Sequence, residues 1–239
     1  MTAPSRRPRV LLSVATSVDG YIDTAGPERL LLSGEEDFDR VDAERAGCDA
    51  ILVGAGTLRR DDPRLLVRSP ARRAARRAAG RPEHPAKVVL TTSGDLDPAA
   101  RFFTTGPAER LVYCPGRTVP GVSARLGDVA TVVDAGDPPD PARVLADLAA
   151  RGVRRLMVEG GGAMHTLFLT AGLVDEIQLV VAPFFVGDPA APRFVGAGAF
   201  PHGPGNRMTP AETRLVGDCV LIRWLTHTGD HDRAPDPPP

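Results

Sequence analysis

Short apolar runs alternating with helix-patterned segments predict an α/β fold, with a central, mostly parallel mixed sheet and antiparallel C-terminal strands. The runs lie at residues 10–15, 50–53, 87–91, 110–113, 130–133, 155–158, 176–182 and 219–225. Most are continuous Val, Leu and Ile rather than strictly alternating, as suits strands covered on both faces. Helix patterns at 34–46, 141–150 and 163–171 fall between them. Nothing helix-like separates the last two runs, only the Gly/Pro-rich stretch 187–210, so those strands read as an antiparallel finish.

Taken in order, the first strand leads into Ser17-Val18-Asp19-Gly20, either a plain Asp-Gly turn or a ligand loop. Ser33 and Glu36 form a Ser-x-x-Glu capping box that starts the first helix. On that helix Phe38, Val41 and Arg45 share one stripe, which aims Arg45 at the face that meets the sheet. An arginine there is costly unless an anion partners it. Two partners are open: an internal acid such as Asp49, or a ligand phosphate held by bidentate geometry. Arg68, after Leu65-Leu66-Val67, would complete a phosphate clamp.

The second strand runs into Val53-Gly54-Ala55-Gly56-Thr57, glycines and a hydroxyl placed to cradle a phosphate. It is not the Gly-x-Gly-x-x-Gly fingerprint, because position 59 is Arg. Asp61 can accept from a sugar hydroxyl or an amide, and Asp62-Pro63 marks a turn. From Arg64 to Arg81 the chain is dense in arginine and free of acid. Without aromatic residues to stack bases, this reads as a solvated helix-loop insertion rather than a nucleic-acid patch. After the run 155–158 comes Glu159-Gly160-Gly161-Gly162, directly before a helix pattern. Strand, glycines and helix make an anion site from backbone N–H groups. A phosphate there would repel Glu159, which is therefore expected to face a second ligand, with a capping carboxylate as the alternative. His165, in the first turn of that helix, is expected either at the surface or against a cofactor.

At 239 residues and a net charge of −1, the chain can bury a full core and gives no bulk electrostatic reason to bind nucleic acid or a membrane surface. Its 3 cysteines are isolated and apolar-flanked, which suggests a reducing compartment. The 5 histidines show no metal-ligand spacing, so no metal is expected. Met1 to Pro8 lacks an apolar core and does not read as a signal peptide, no run is long enough to span a bilayer, and the protein is expected in the cytoplasm. Residues 1–8 are expected to be a flexible N-terminus, 9–226 a single domain, and 227–239 a polar, proline-rich disordered tail.

In this order and at these spacings, the motifs resemble the RibD C-terminal family, the reductase domain of riboflavin biosynthesis. They are Ser17-Val18-Asp19-Gly20, the helix ending Glu44-Arg45-Ala46, and Cys48-Asp49-Ala50-Ile51-Leu52-Val53-Gly54-Ala55-Gly56-Thr57. Asp61-Asp62-Pro63-Arg64-Leu65-Leu66-Val67-Arg68, Val158-Glu159-Gly160-Gly161-Gly162, Ala171-Gly172-Leu173-Val174-Asp175-Glu176 and Ala182-Pro183 complete them. The resemblance covers roughly residues 9–225. It implies a dihydrofolate-reductase-like fold, NADPH as hydride donor and a homodimer whose forming edge resembles strands 176–182 and 219–225. The implied substrate is a phosphoribosylamino-pyrimidine, 5-amino-6-(5-phosphoribosylamino)uracil or its not-yet-deaminated precursor, whose ribose is reduced to a ribityl chain.

Carried over by residue, NADPH contacts fall on Ala15, Thr57, Asp61, Ser93, Gly161, Gly162, Ala163, Met164, His165, Thr166 and Leu167. Substrate contacts fall on Arg45, Leu65, Arg68 and Glu159. Glu159 is the expected catalytic residue, orienting ribose hydroxyls and relaying a proton. Ser93, with Arg117 as second choice, is the candidate reader of the NADPH 2′-phosphate. Some members carry Ser-x-Trp where this chain has Arg29-Leu30-Leu31. The His-x-Glu and Pro-Cys-x-x-Cys signature of a zinc deaminase does not occur, so no deamination step is expected. Two further readings stand beside this one: NADPH-dependent reduction of another heterocycle, such as a dihydropterin, and a non-enzymatic NADPH-binding paralogue.

Overall fold

A computed structural model describes residues 7–226. Nine strands form one sheet in the order β5-β4-β3-β2-β6-β1-β7-β9-β8. The strands are β1 (Arg9–Ser17), β2 (Ala50–Gly54), β3 (Ala86–Leu90), β4 (Arg110–Cys114), β5 (Thr131–Asp134), β6 (Arg155–Gly160), β7 (Glu176–Ala182), β8 (Thr209–Val216) and β9 (Cys219–Leu225). Every pairing from β5 to β7 is parallel, whereas β9 runs antiparallel to both β7 and β8. This is the expected mixed architecture, mostly parallel with antiparallel C-terminal strands. The helices are α1 (Glu35–Gly47), α2 (Ala55–Asp61), α3 (Pro70–Ala78), α4 (Arg101–Thr104), α5 (Val119–Leu126), α6 (Pro141–Ala150) and α7 (Gly162–Thr170).

Continuous apolar runs are used as their pattern implies, one residue to each face. Val10, Leu12, Leu52, Val88 and Val158 join Val144 and Leu148 of α6 and Phe168 of α7 in one core. Their alternates Leu11, Ile51, Val53, Val89 and Met157 join Leu58 of α2, Phe102 of α4 and Leu126 of α5 in a second. Each fully buried aliphatic side chain contributes about 1.5–3 kcal/mol. The two faces therefore stabilise the sheet from both sides and hold its strand ends rigidly.

Several elements depart from expectation. β8 was not expected, because its sequence Thr209–Val216 is exposed almost throughout and shows no apolar alternation. Pairing to β9 through the two-residue turn Gly217-Asp218, with Gly217 at φ +61°, supplies what hydrophobicity does not. β8, not 176–182 or 219–225, is consequently the edge of the sheet. The capping box does not form. Gly34 is the N-cap of α1, which places Ser33 one position too early, and its hydroxyl donates to Asp37 at 2.7 Å instead.

The arginine-rich segment is less solvated than expected. Arg76 of α3 is 4 % exposed and donates to the carbonyls of Ala46, Cys48 and Pro82, so that α3 docks on the C-terminal end of α1. Of the expected flexible N-terminus, Arg7 and Pro8 are described, and Arg7 makes two 2.7 Å bonds to the Asp175 carboxylate. The rest of that segment and the tail 227–239 lie outside the described residues.

Candidate active site

A cavity of about 720 Å³ opens over the carboxyl ends of β1, β2, β3 and β6, where open α/β sheets bind ligands. It has two differently built lobes.

The lobe beside α1 is made of charged side chains. β6 carries a bulge, because Leu52 pairs with Val158 while Val53 pairs with Gly160, and Glu159 is the residue passed over. Its side chain meets Arg45 in a bidentate pair, Nε to Oε1 at 2.7 Å and Nη2 to Oε2 at 2.6 Å. The partner of Arg45 is thus an internal acid, but it is Glu159. Asp49 is occupied elsewhere, by Arg81 at 2.8 Å and by the backbone N–H groups of Arg154 and Arg155. Burial opposes the Arg45 charge, yet the Glu159 carboxylate outweighs it and raises the guanidinium above its ordinary range.

Arg68 sits beside this pair. Asp42 of α1 accepts the backbone N–H of Arg68 and that of Ser69, the latter at 3.1 Å, which pins the segment against the helix. The Arg68 guanidinium then lies over the Phe38 ring, 5.8 Å from its centroid, and lines the cavity. Leu65 does not reach the cavity. At 2 % exposure and φ +49°, its side chain is packed in the second core, where the local apolar run directs it.

The other lobe is made of glycines, hydroxyls and backbone. Its floor is the β2–α2 junction, Gly54 to Thr57, against the β6–α7 junction, Gly160 to Met164. A Cβ on Gly54 would stand 2.9 Å from Met164 Cγ, one on Gly161 3.2 Å from Thr57 Oγ1, and one on Gly162 2.3 Å from the Arg193 carbonyl. These glycines let the two junctions and the following loop pack together. Gly56 differs, since a Cβ there would meet nothing and would project into open space. At the start of α7 the N–H groups of Gly162 and Ala163 have no acceptor within the helix. Ala15, Asp61 and Ser93 line the same cavity. Burial raises the Asp61 carboxyl, Arg29 works against this, and Asp23 adds to it.

His165 is buried, not surface-exposed as one expectation had it, because Phe194 covers it with a ring contact and a carbonyl 3.1 Å from Nδ1. A carbonyl only accepts, so Nδ1 carries the proton and Nε2 is an acceptor, which finds no hydrogen-bond partner. Desolvation lowers its pKa to about 4, and the imidazole is neutral. Thr166 and Leu167 do not line the cavity. The Thr166 hydroxyl donates to the Gly162 carbonyl at 2.7 Å and accepts from Gly196 N–H at 2.8 Å, while Leu167 packs on the first core. The Ser17–Gly20 cluster also stays outside the cavity. Asp19 accepts from Ser17 Oγ at 2.6 Å and from Val186 and Gly187 N–H, stapling the loop after β7 to the turn after β1.

Sequence reasoning passed over Asp23, Arg59 and Arg60, which line the cavity from α2 and the loop after β1. Asp23 pairs with Arg60 at 2.8 Å and accepts the N–H groups of Thr24 and Leu30, which folds residues 23–30 into a cavity wall. That loop has no periodicity, so only its fold could reveal it.

Fold and cavity together give an α/β protein with a ligand-sized cavity over its strand ends, lined on one side by glycines and backbone and on the other by charged side chains. The chain belongs to the RibD C-terminal domain family, whose model matches residues 8–222. It is 36% identical over 196 residues to the 2,5-diamino-6-ribosylamino-4(3H)-pyrimidinone 5′-phosphate reductase of Archaeoglobus fulgidus, covering 81% of this chain and 89% of the relative. The protein of the same name from Methanothermobacter thermautotrophicus is 35% identical over 228 residues, covering 91% and 98%. Among solved structures, Acinetobacter baumannii RibD superposes with a TM-score of 0.74 at 23% identity, over 92% of this chain and 58% of that one. A pyrimidine reductase-like protein of Corynebacterium diphtheriae gives 0.73 at 23% identity, over 91% of both. At that identity the two structures speak for the fold.

Proposed function

We propose that this protein is the NADPH-dependent reductase that converts the ribose of a phosphoribosylamino-pyrimidine to a ribityl chain in riboflavin biosynthesis. The observation that carries the reading is the meeting of two unlike lobes in one cavity. Arg68 and the Arg45–Glu159 pair suit a phosphorylated sugar, and the open cradle at Gly56 with the orphan N–H groups of α7 suits a dinucleotide. The names of the relatives that the chain covers most fully favour the diamino-pyrimidinone as substrate over its deaminated uracil counterpart.

In this reading Thr57, Asp61, Ser93 and residues 161–165 hold NADPH, which supplies the hydride. Arg68 anchors the substrate phosphate. Glu159 aligns Arg45 through both carboxylate oxygens and accepts from ribose hydroxyls, so it orients rather than donates a proton. Orientation of the reacting carbon and exclusion of water account for most of the rate.

The cytoplasm is the compartment we propose, consistent with three free, buried thiols at Cys48, Cys114 and Cys219. The assembly we propose is a symmetric homodimer. Leu215 on the edge strand is 72 % exposed and stands in register with Val220 and Val181, giving an apolar row for a second copy to cover.

The test is NADPH oxidation on adding the diamino-pyrimidine ribosyl phosphate, with dihydrofolate in parallel. Turnover of the pyrimidine alone is expected, and turnover of dihydrofolate alone overturns the reading. Arg68→Met should lower kcat/KM for the pyrimidine by about ten- to a hundredfold and leave NADPH affinity unchanged. A single-chain mass at all concentrations in light scattering overturns the dimer.

A further inference from the structure

The arginines lining the cavity divide into two groups. Arg40 pairs with Asp37, Arg45 with Glu159 and Arg60 with Asp23. Arg29, Arg59 and Arg68 have no carboxylate within ion-pair distance among the described residues. Arg68 belongs to the α1 lobe. Arg59 lies in the other lobe, exposed on α2.

We propose that Arg59, together with the Ser93 hydroxyl, selects NADPH over NADH by holding the phosphate monoester on the cofactor's adenosine ribose. This rests on the NADPH-dependent reading given above. Arg59 Nη1 donates to the Asp95 carbonyl at 2.9 Å, which leaves Nε and Nη2 free for a bidentate contact. Asp95 belongs to the same loop as Ser93, and that loop is fixed in three ways. Thr91 Oγ1 accepts from Gly94 N–H at 3.0 Å, and Ser93 Oγ accepts from Asp95 N–H at 3.2 Å. Gly94 has φ +73°, and a Cβ there would stand 2.3 Å from Val122 Cγ2.

The Ser93 oxygen thus uses its acceptor side inward and keeps its proton to donate into the cavity. A guanidinium from α2 and a hydroxyl donor from the loop to which it is hydrogen-bonded suit a dianionic monoester. A free ribose hydroxyl, as in NADH, would leave the guanidinium unanswered. Their place fits as well. Ser93 follows β3 and Glu159 lies near the end of β6, with β2 between those strands, which puts them about 10 Å apart in the sheet at the usual strand spacing. The adenosine end of a dinucleotide lying across the strand ends would fall there, away from the substrate lobe. Arg117, the other arginine considered for this role, pairs with Asp137 and does not line the cavity.

The experiment is calorimetric titration of the full chain and its Arg59→Gln and Arg59→Lys variants with adenosine 2′,5′-bisphosphate, adenosine 5′-monophosphate, NADPH and NADH. Arg59→Gln should weaken the bisphosphate and NADPH by about tenfold or more, leave the monophosphate and NADH unchanged, and be partly rescued in Arg59→Lys. If Arg59→Gln weakens all four alike, or none, the assignment of Arg59 fails while the NADPH reading stands. If the unaltered protein binds NADH as tightly as NADPH, the NADPH reading fails and takes this inference with it. Circular dichroism checks that the exposed substitution leaves the fold intact.

Discussion

The two lobes of the cavity achieve precision by opposite means. In the α1 lobe, Arg45 and Glu159 fix one another through charge, and the Asp42 carboxylate on α1 pins the backbone that carries Arg68. In the glycine lobe, shape does the work. Removing side chains at 54, 161 and 162 brings two strand–helix junctions into contact, and removing one at 56 leaves a hollow. A charged lobe should therefore fail when a partner is taken away, and a glycine lobe when an atom is added. The same substitution size has different consequences on the two sides.

The sharpest test of that contrast adds bulk where the protein has none. Gly56→Leu puts a side chain into open space, so the fold should be unharmed, and a glycine removed from a helix stabilises by up to about 1 kcal/mol. Cofactor affinity should nevertheless fall by about a hundredfold, the overpacking expected of a filled site. Melting curves and NADPH titration on one preparation separate the effects. A variant that melts lower yet binds normally would show that the hollow is not the cradle.

Of similar size is the loss of one charged partner. Arg45→Met leaves the Glu159 carboxylate largely buried without its guanidinium and should destabilise by roughly 3 kcal/mol. An arginine facing inward with no acid would have given the reverse, a slight gain, but Arg45 is not in that position. Arg45→Met combined with Glu159→Gln should recover much of the loss, and a double-mutant cycle in denaturant reads the coupling. Additive losses would mean that the pair contributes nothing as a pair.

Acid should act on the glycine lobe through His165. The pKa of His165 is lowered in the fold from 6.5 to about 4, so between those values the unfolded chain binds more protons. Its contribution to stability is fully present above pH 6.5 and is lost as pH falls through about 4. Replacing His165 with Gln should flatten this part of the stability–pH curve. An unchanged slope would assign the acid sensitivity to other groups.

How much of this was legible in the sequence depends on which force fixed each part. Strand cores such as Ala50–Gly54 and the parallel order could be read directly, because burial on both faces demands unbroken Val, Leu and Ile. β8 could not, since its order comes from backbone pairing to β9 rather than from apolar surface. Its Gly217-Asp218 turn was the one local signal available. α2 was too short, and its glycine too unfavourable, for helical periodicity to register.

The sequence by itself determined the α/β class and most strand positions, and the motifs shared with the family marked Arg45, Arg68, Glu159 and the glycines at 54, 56, 161 and 162 as site residues. Local propensity suffices for the first two, because it acts between residues near in the chain. The tertiary structure alone decided the pairings. Glu159 lies 114 positions from Arg45, and only a bulge in β6 beneath α1 brings their charges together. Leu65 went to the core, His165 beneath Phe194, and Arg59 to the loop that carries Ser93. Hydrogen bonds and ion pairs have ranges of a few ångströms, so their partners follow from where the backbone is placed.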